Sequence, residues 1–248
     1  MERNRKNQIK FGLLGKNISY SFSKGYFSEK FKELALDNYS YVNFDIDSIE
    51  KFPALLSDHI TGMNVTIPYK EQIIPYLDEL DTVAKKIGAV NTIKISNGKL
   101  IGYNTDVFGF ENSLKPLLKK HHKNALILGT GGASKAIRFV LDKLAINFLV
   151  VSRNPKGNQI SYQDISKSLL NTNTLIVNCT PVGTFPNINA FPEIPYQYIT
   201  NKHILYDLIY NPEKTRFLIK GEVQGATIYN GLKMLELQAE KSWKIWNR

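Results

Sequence analysis

The sequence predicts an α/β fold made of two successive units. Three observations carry this. Strand-like and helix-like segments alternate along the whole chain. The strand-like segments fall into two series that part near residue 108. A glycine cluster opens the second series between an apolar strand and a helix. The 248 residues are enough for one large domain or two modest ones.

In the first series, IKFGLLG (9–15), YVNFDI (41–46), GMNVTI (62–67) and AVNTIKI (89–95) read as strands. FSEKFKELAL (27–36) and DELDTVAKKIG (78–88) read as helices between them. The second series is NALILG (124–129), NFLVVS (147–152), TLIVNC (174–179) and ILYDLI (204–209). Within it, ASKAIRFVLDKLA (133–145) places Ile137, Val140, Leu141 and Leu144 on one helical face. Such alternation implies parallel sheets covered by helices. A helix over FGFENSLKPLLKK (108–120) joins the units, and TFPNINAFPEIPYQY (184–198) is the longest irregular stretch. The closing segment 228–246 reads as a long helix whose Leu232, Leu235, Leu237, Trp243 and Trp246 pack on something, with the first domain as one partner.

Composition narrows the function classes. An apolar fraction of 43% and a charged fraction of 22% belong to an ordinary globular protein. The net charge of +10 favours anionic partners. The charge is dispersed apart from MERNRKNQIK at the start and KKHHK at 119–123, so neither a nucleic-acid-binding arm nor a basic face interleaved with aromatics is present. The single cysteine, Cys179, excludes an intrachain disulfide and fits a reducing compartment. No secretory signal and no apolar run of about 20 residues stands out, which predicts a cytoplasmic protein. Cys179 reads as a small core residue, and His59, His121, His122 and His203 lack ligand spacing, so no metal site is predicted; His121 and His122 read as an exposed helix end.

LILGTGGASKAI (126–137) is a strand, a glycine cluster and a helix start. Gly129 suits the tight turn, and Gly131 lets the backbone approach a pyrophosphate seated on the helix N-terminus. Ser134 takes the third small position, which makes the dinucleotide fingerprint imperfect; its strand–turn–helix setting supports it. The following strand ends VVSRNPK (150–156), with Arg153 where an NAD-preferring fold carries an acid. A guanidinium stacks on adenine and pairs with a 2′-phosphate, so NADP is expected over NAD.

GMNVTIPYK (62–70) poses a different question. Met63, Val65 and Ile67 alternate with Asn64 and Thr66 as in a half-buried strand, and the run then ends at Pro68 and Lys70. Lys70 is either a solvated charge at a strand end or, with Asn64 and Thr66, a ligand contact.

Nine stretches in order resemble the shikimate dehydrogenase family: GLLGKNISYSFSK (12–24), GMNVTIPYK (62–70), GAVNT (88–92), GYNTDVFG (102–109), GTGGASKA (129–136), SRN (152–154), NCTPVG (178–183), DLIYNPEKT (207–215) and GLKMLELQAEKSW (231–243). The resemblance implies reversible NADP-dependent reduction of 3-dehydroshikimate to shikimate, in the chorismate route to aromatic amino acids. It implies an N-terminal α/β substrate domain (1–107, completed by a C-terminal helix 229–248) and a Rossmann-like, doubly wound NADP-binding domain (108–228), flanking a cleft.

By motif, Ser21 and Ser23 would hold the shikimate carboxylate, although serines there could equally cap the helix. Asn64, Thr66, Asn91, Asp106 and Gln238 would bind ring hydroxyls, and Tyr210 would stand near the carboxylate and the nicotinamide. The resemblance assigns the cofactor to Gly129, Thr130, Gly131, Gly132, Ala133, Ser152, Arg153, Asn154, Thr180, Leu208 and Gly231. Lys70 and Asp106 would be the catalytic pair. A ketone accepting hydride develops negative charge on oxygen, and an ammonium supplies both a proton and a countercharge.

Tyr20 stands where the family often has His, Lys24 where it has Pro, and Thr184 where it has Met. The segment between VVSRN and TLIVNC is short, which predicts a reduced or missing helix. A quinate dehydrogenase using NAD is the nearest rival; Ser23 and Arg153 speak against it. Ser21 and Ser23 speak against a methylenetetrahydrofolate dehydrogenase. The chain is expected to act as a monomer or homodimer on small molecules, without nucleic acid or membrane.

Overall fold

The computed structural model describes residues 8–19, 21–56 and 59–248; Tyr20 and the first part of the basic start lie outside them. The chain divides into two compact units, one of residues 1–105 with 238–248, the other of residues 106–237.

The first unit contains β1 (Ile9–Gly15), α1 (Phe22–Glu33), β2 (Tyr39–Asp45), the short α2 (Phe52–Leu55), β3 (Ile60–Val65), β4 (Glu79–Leu80), α3 (Thr82–Ile87), β5 (Thr92–Ser96) and β6 (Lys99–Tyr103). Its six-stranded sheet runs β2-β1-β3-β5-β6-β4. The second unit contains α4 (Asp106–Leu114), β7 (Asn124–Leu128), α5 (Gly132–Lys143), β8 (Asn147–Val151), α6 (Lys167–Thr172), β9 (Leu175–Asn178), β10 (Ile204–Asp207), α7 (Arg216–Val223) and β11 (Thr227–Tyr229). Its five strands are ordered β11-β10-β9-β7-β8, all parallel. The last helix, α8 (Leu232–Trp246), belongs to the first unit from Gln238 onward.

Four local expectations change. The first sheet is mixed, because β5 runs antiparallel to both β3 and β6. Asn97-Gly98 joins β5 to β6 with positive φ at both residues, the backbone that a two-residue hairpin with right-twisted strands demands. The helix expected over 78–88 shortens to α3, since Asp81 caps it by accepting from the Ala84 N–H at 2.7 Å, and Glu79–Leu80 pair with β6. Strand β3 ends at Val65 and leaves Ile67 73% exposed. Pro68 has no N–H for a ladder, and the Tyr69 N–H turns back to Thr66 O at 2.9 Å. Finally, His122 is buried in a turn, not on an exposed helix end. Its Nδ1 accepts from the Lys119 N–H at 2.8 Å, and its Nε2 lies 3.1 Å from Lys202 O. Burial, followed by the charge of His121, holds its pKa below the usual histidine value.

The short segment after β8 has kept its helix as α6, six residues long. The further strand beside β8 is reduced to one parallel bridge between Val151 and Ile160. That bridge closes the turn carrying Arg153, through Ser152 N–H to Ile160 O at 2.9 Å.

The end of α8 packs on the first sheet. Trp246 stacks on Phe11 with centroids 4.6 Å apart and sits with Phe27, Phe31 and Tyr41 in one cluster. Its Nε1 donates to Ile93 O at 2.9 Å. Only glycine fits beneath the indole, because a Cβ on Gly62 would lie 2.4 Å from Nε1. Gly62→Ala is therefore expected to push the indole off Ile93 and cost about 1–3 kcal/mol as overpacking does. Thermal unfolding checks this; a melting temperature within a degree of the parent would refute it.

Candidate active site

In the first unit, polar side chains from two strands and one helix converge on Asn64. Asn64 Oδ1 accepts from the Tyr41 hydroxyl at 2.8 Å. Its Nδ2 donates to Ser242 Oγ at 2.9 Å, to Thr92 Oγ1 at 3.1 Å and more weakly to Asn91 O at 3.3 Å. Asn91 Oδ1 accepts from the Thr105 backbone N–H at 2.7 Å, and its Nδ2 reaches Gln238 Oε1 at 3.4 Å. Ser23 hydrogen-bonds Tyr41; burial pushes the Tyr41 phenol well above its usual range, and the serine works against that rise. Thus Ser23, Asn64, Asn91 and Gln238 share one bonded network.

Ser21 caps α1, accepting from the Lys24 N–H at 3.4 Å. The capping alternative is thus realised at Ser21, and the helix begins at Phe22 rather than near Phe27. Thr66 is half-buried and held by its backbone N–H to Leu14 O at 2.8 Å. Lys70 is half-buried as well. Two anchors fix its turn: the buried Tyr69 donates its hydroxyl to Ile46 O at 2.7 Å, and Lys70 O accepts from the Val90 N–H at 2.7 Å. Lys70 is thereby tied to the GAVNT stretch that carries Asn91.

In the second unit, Asp106 is the first residue of α4 and is 3% exposed. Carboxylates suit that position because the first-turn N–H groups lack helical acceptors. Gly129, at φ +101°, turns the chain out of β7, and a Cβ there would fall 2.8 Å from Thr180 Cγ2. The chain connections diverge on either side of β7, so the carboxyl ends of β7 and β9 form a topological switch point. Gly131 is exposed, begins α5 in extended backbone without a side-chain cap, and has open space where a Cβ would be. The first N–H groups of α5, from Gly132 and Ala133 onward, therefore suit an anion. Ser134 is buried and donates its hydroxyl to Gly131 O at 2.7 Å, so it braces the loop in place of a third glycine. Thr130 is exposed at the same turn.

Ser152 Oγ accepts from the Asn154 N–H at 3.2 Å, which shapes the exposed turn presenting Arg153. Thr180 Oγ1 donates to Asn178 Oδ1 at 2.6 Å. Gly231 approaches Leu208 so closely that a Cβ would fall 2.1 Å from Leu208 O. Tyr210 is half-buried, and burial raises its phenol.

Sequence reading missed four polar residues of the first network: Tyr41, Thr92, Thr105 and Ser242. Ser242 had one usable signal, its place one helical turn after Gln238. It also missed Asp207, at the end of β10. Asp207 accepts from Asn178 Nδ2 at 3.0 Å, from the Ile209 N–H at 3.1 Å and from Thr215 Oγ1 at 2.6 Å. Cys179 follows β9, and burial pushes its thiol up. No helix among the described residues is long and apolar enough to cross a membrane.

The shikimate dehydrogenase substrate binding domain model matches residues 13–93. The chain is 40% identical over 95% of its length to a shikimate dehydrogenase (NADP(+)) of Methanococcus maripaludis, covering 90% of that relative. It belongs to the shikimate dehydrogenase family. Among solved structures, shikimate dehydrogenase 1 from Peptoclostridium difficile is 40% identical, with a TM-score of 0.84 over 96% of this chain and 91% of that one. The Thermus thermophilus enzyme, solved with NADP(H) and shikimate, is 30% identical, with a TM-score of 0.85 over 96% and 93%.

Asp207 generates a pH prediction for this family member. Burial raises its carboxyl to about 6, against the pull of its three donors. A raised folded-state value means that its stabilisation is full below the unfolded value near 4 and is lost as pH rises through about 6. Between pH 4 and pH 7, the stability of the parent relative to Asp207→Asn is expected to fall by on the order of 3 kcal/mol. Urea unfolding of both proteins across that range checks this, and a difference that stays flat would refute it.

Proposed function

We propose that this chain catalyses the reversible NADP-dependent reduction of 3-dehydroshikimate to shikimate. It is thus an oxidoreductase acting on a secondary alcohol in the chorismate route to aromatic amino acids. The observation that carries the reading is the near full-length kinship at 40% identity. The network around Asn64 and Asn91 supports it, because such carboxamides and hydroxyls suit a polyhydroxylated ring. We assign residues 1–107 with 229–248 to substrate and 108–228 to NADP, and take the protein to be a cytoplasmic monomer or homodimer.

NADPH, when bound, supplies the hydride that goes to the ketone carbon. Lys70 gives the ketone oxygen its proton, and its charge offsets the negative charge developing there. Asp106 orients the ammonium and holds a ring hydroxyl. In the oxidative direction Lys70 takes the proton back. Ser21 and Ser23 donate to the carboxylate, which only accepts. Asn64, Thr66, Asn91 and Gln238 bind ring hydroxyls, and Tyr210 lies at the carboxylate. Gly129, Thr130, Gly131, Gly132 and Ala133 take the pyrophosphate. Arg153, with Ser152 and Asn154, takes the 2′-phosphate; Thr180, Leu208 and Gly231 border the nicotinamide.

Absorbance of the reduced nicotinamide tests the reading, with shikimate and quinate each paired with NADP and NAD. Shikimate with NADP should be fastest; no turnover with any pairing would overturn the proposal. Lys70→Ala should lower kcat by roughly 10²–10⁴-fold while KM changes little, as expected for loss of a general acid. Near-normal kcat would remove Lys70 from the chemistry. Arg153→Ala should raise KM for NADP by about tenfold or more, the scale of one charge-assisted contact, and leave NAD unaffected.

A further inference from the structure

Ser242 is fully buried on the last helix, and its hydroxyl is the hub at which that helix meets the sheet. It donates to Gln238 O, four residues back, at 3.0 Å. With that proton committed, Oγ is an acceptor for Asn64 Nδ2 at 2.9 Å and for the Thr92 hydroxyl at 2.9 Å. The order of donors then propagates. Asn64 uses its N–H groups on Ser242 and Thr92, so the carboxamide cannot flip without facing Nδ2 toward the Tyr41 hydroxyl, which donates to Oδ1. A carboxamide oxygen has two lone pairs, and Tyr41 takes one. The other accepts. Asn64 retains 9% exposure.

We infer that Ser242 is a positioning residue: its hydroxyl locks the Asn64 carboxamide with oxygen toward the substrate, so that Asn64 accepts from a ring hydroxyl and selects a polyol over a keto or deoxy ring at that point. The inference rests on the proposed substrate class, and Ser242 itself makes no substrate contact. The same oxygen lies 3.4 Å from Thr105 Oγ1. Without it, Asn64 keeps only Thr92 Oγ1 at 3.1 Å and the longer contact to Asn91 O at 3.3 Å for its N–H groups, and the flipped carboxamide becomes competitive.

The test uses the full chain, with Ser242→Ala and Ser242→Thr compared with the parent. Steady-state kinetics are run with shikimate and NADP, and calorimetric titration with shikimate alone. Ser242→Ala should raise KM and the dissociation constant for shikimate roughly tenfold, the scale of one unmet buried hydrogen bond, with KM for NADP and kcat within about threefold. Ser242→Thr, which keeps the hydroxyl, should recover most of that loss. Shikimate affinity within twofold of the parent in Ser242→Ala would overturn the inference. So would equal weakening of shikimate and NADP, or no recovery in Ser242→Thr, since either marks a general structural defect. If the parent binds shikimate yet turns it over with neither nicotinamide, the reaction assignment fails, and the titration still decides the role of Ser242.

Discussion

The first unit depends on the requirement that a buried carboxamide find all its partners. Asn64 sits on β3 in the middle of a sheet, and its polar atoms are satisfied by Tyr41 from β2, Thr92 from β5 and Ser242 from α8. Leaving a buried donor or acceptor unmet costs about 1–3 kcal/mol each. The network therefore demands that the last helix return to the sheet, and the Trp246 cluster makes that return favourable by burying aromatic surface on Phe11 and Phe27. Apolar packing brings α8 back; the polar bonds set its register. Gly62 is the steric condition for both, because a larger residue would lift the indole and with it the helix that carries Ser242 and Gln238.

The second unit solves its problem at the carboxyl ends of parallel strands. Parallel strands buried on both faces are near-continuous apolar runs, so polar function collects where they end. Asn178 and Asp207 close β9 and β10, and they bond each other and Thr180 and Thr215. Such a network holds two loops that would otherwise be independent. Glu111 does a similar task on α4: burial alone would raise its carboxyl, but Lys115 at 2.6 Å and Lys143 at 2.7 Å outweigh it and lower it, joining α4 to α5.

Much of this was legible in the residues. The alternating pattern, the glycine turn, Arg153 and the order of the short motifs led to the α/β units and the family. Elements with weak local signatures were missed. Strands β4 and β11 are two and three residues long and exist only through pairing. The antiparallel hairpin has a local signal, Asn97-Gly98, and a mixed sheet follows from it. His121 and His122 read alike as polar neighbours, yet only His122 is enclosed, because its ring meets two backbone groups.

Local chemistry by itself determined which residues can bind a phosphate, accept a hydride-driven charge or cap a helix, since donor type, charge and backbone freedom belong to the residue. Tertiary structure alone decided which hydroxyls meet: Tyr41, Thr92, Thr105 and Ser242 are spread over 200 residues and become neighbours of Asn64 or Asn91 only once β2, β5 and α8 pack together. Hydrogen bonds act over about 3 Å, whereas sequence patterns report only the periodicity of burial. The partners of a buried carboxamide are thus chosen by the fold.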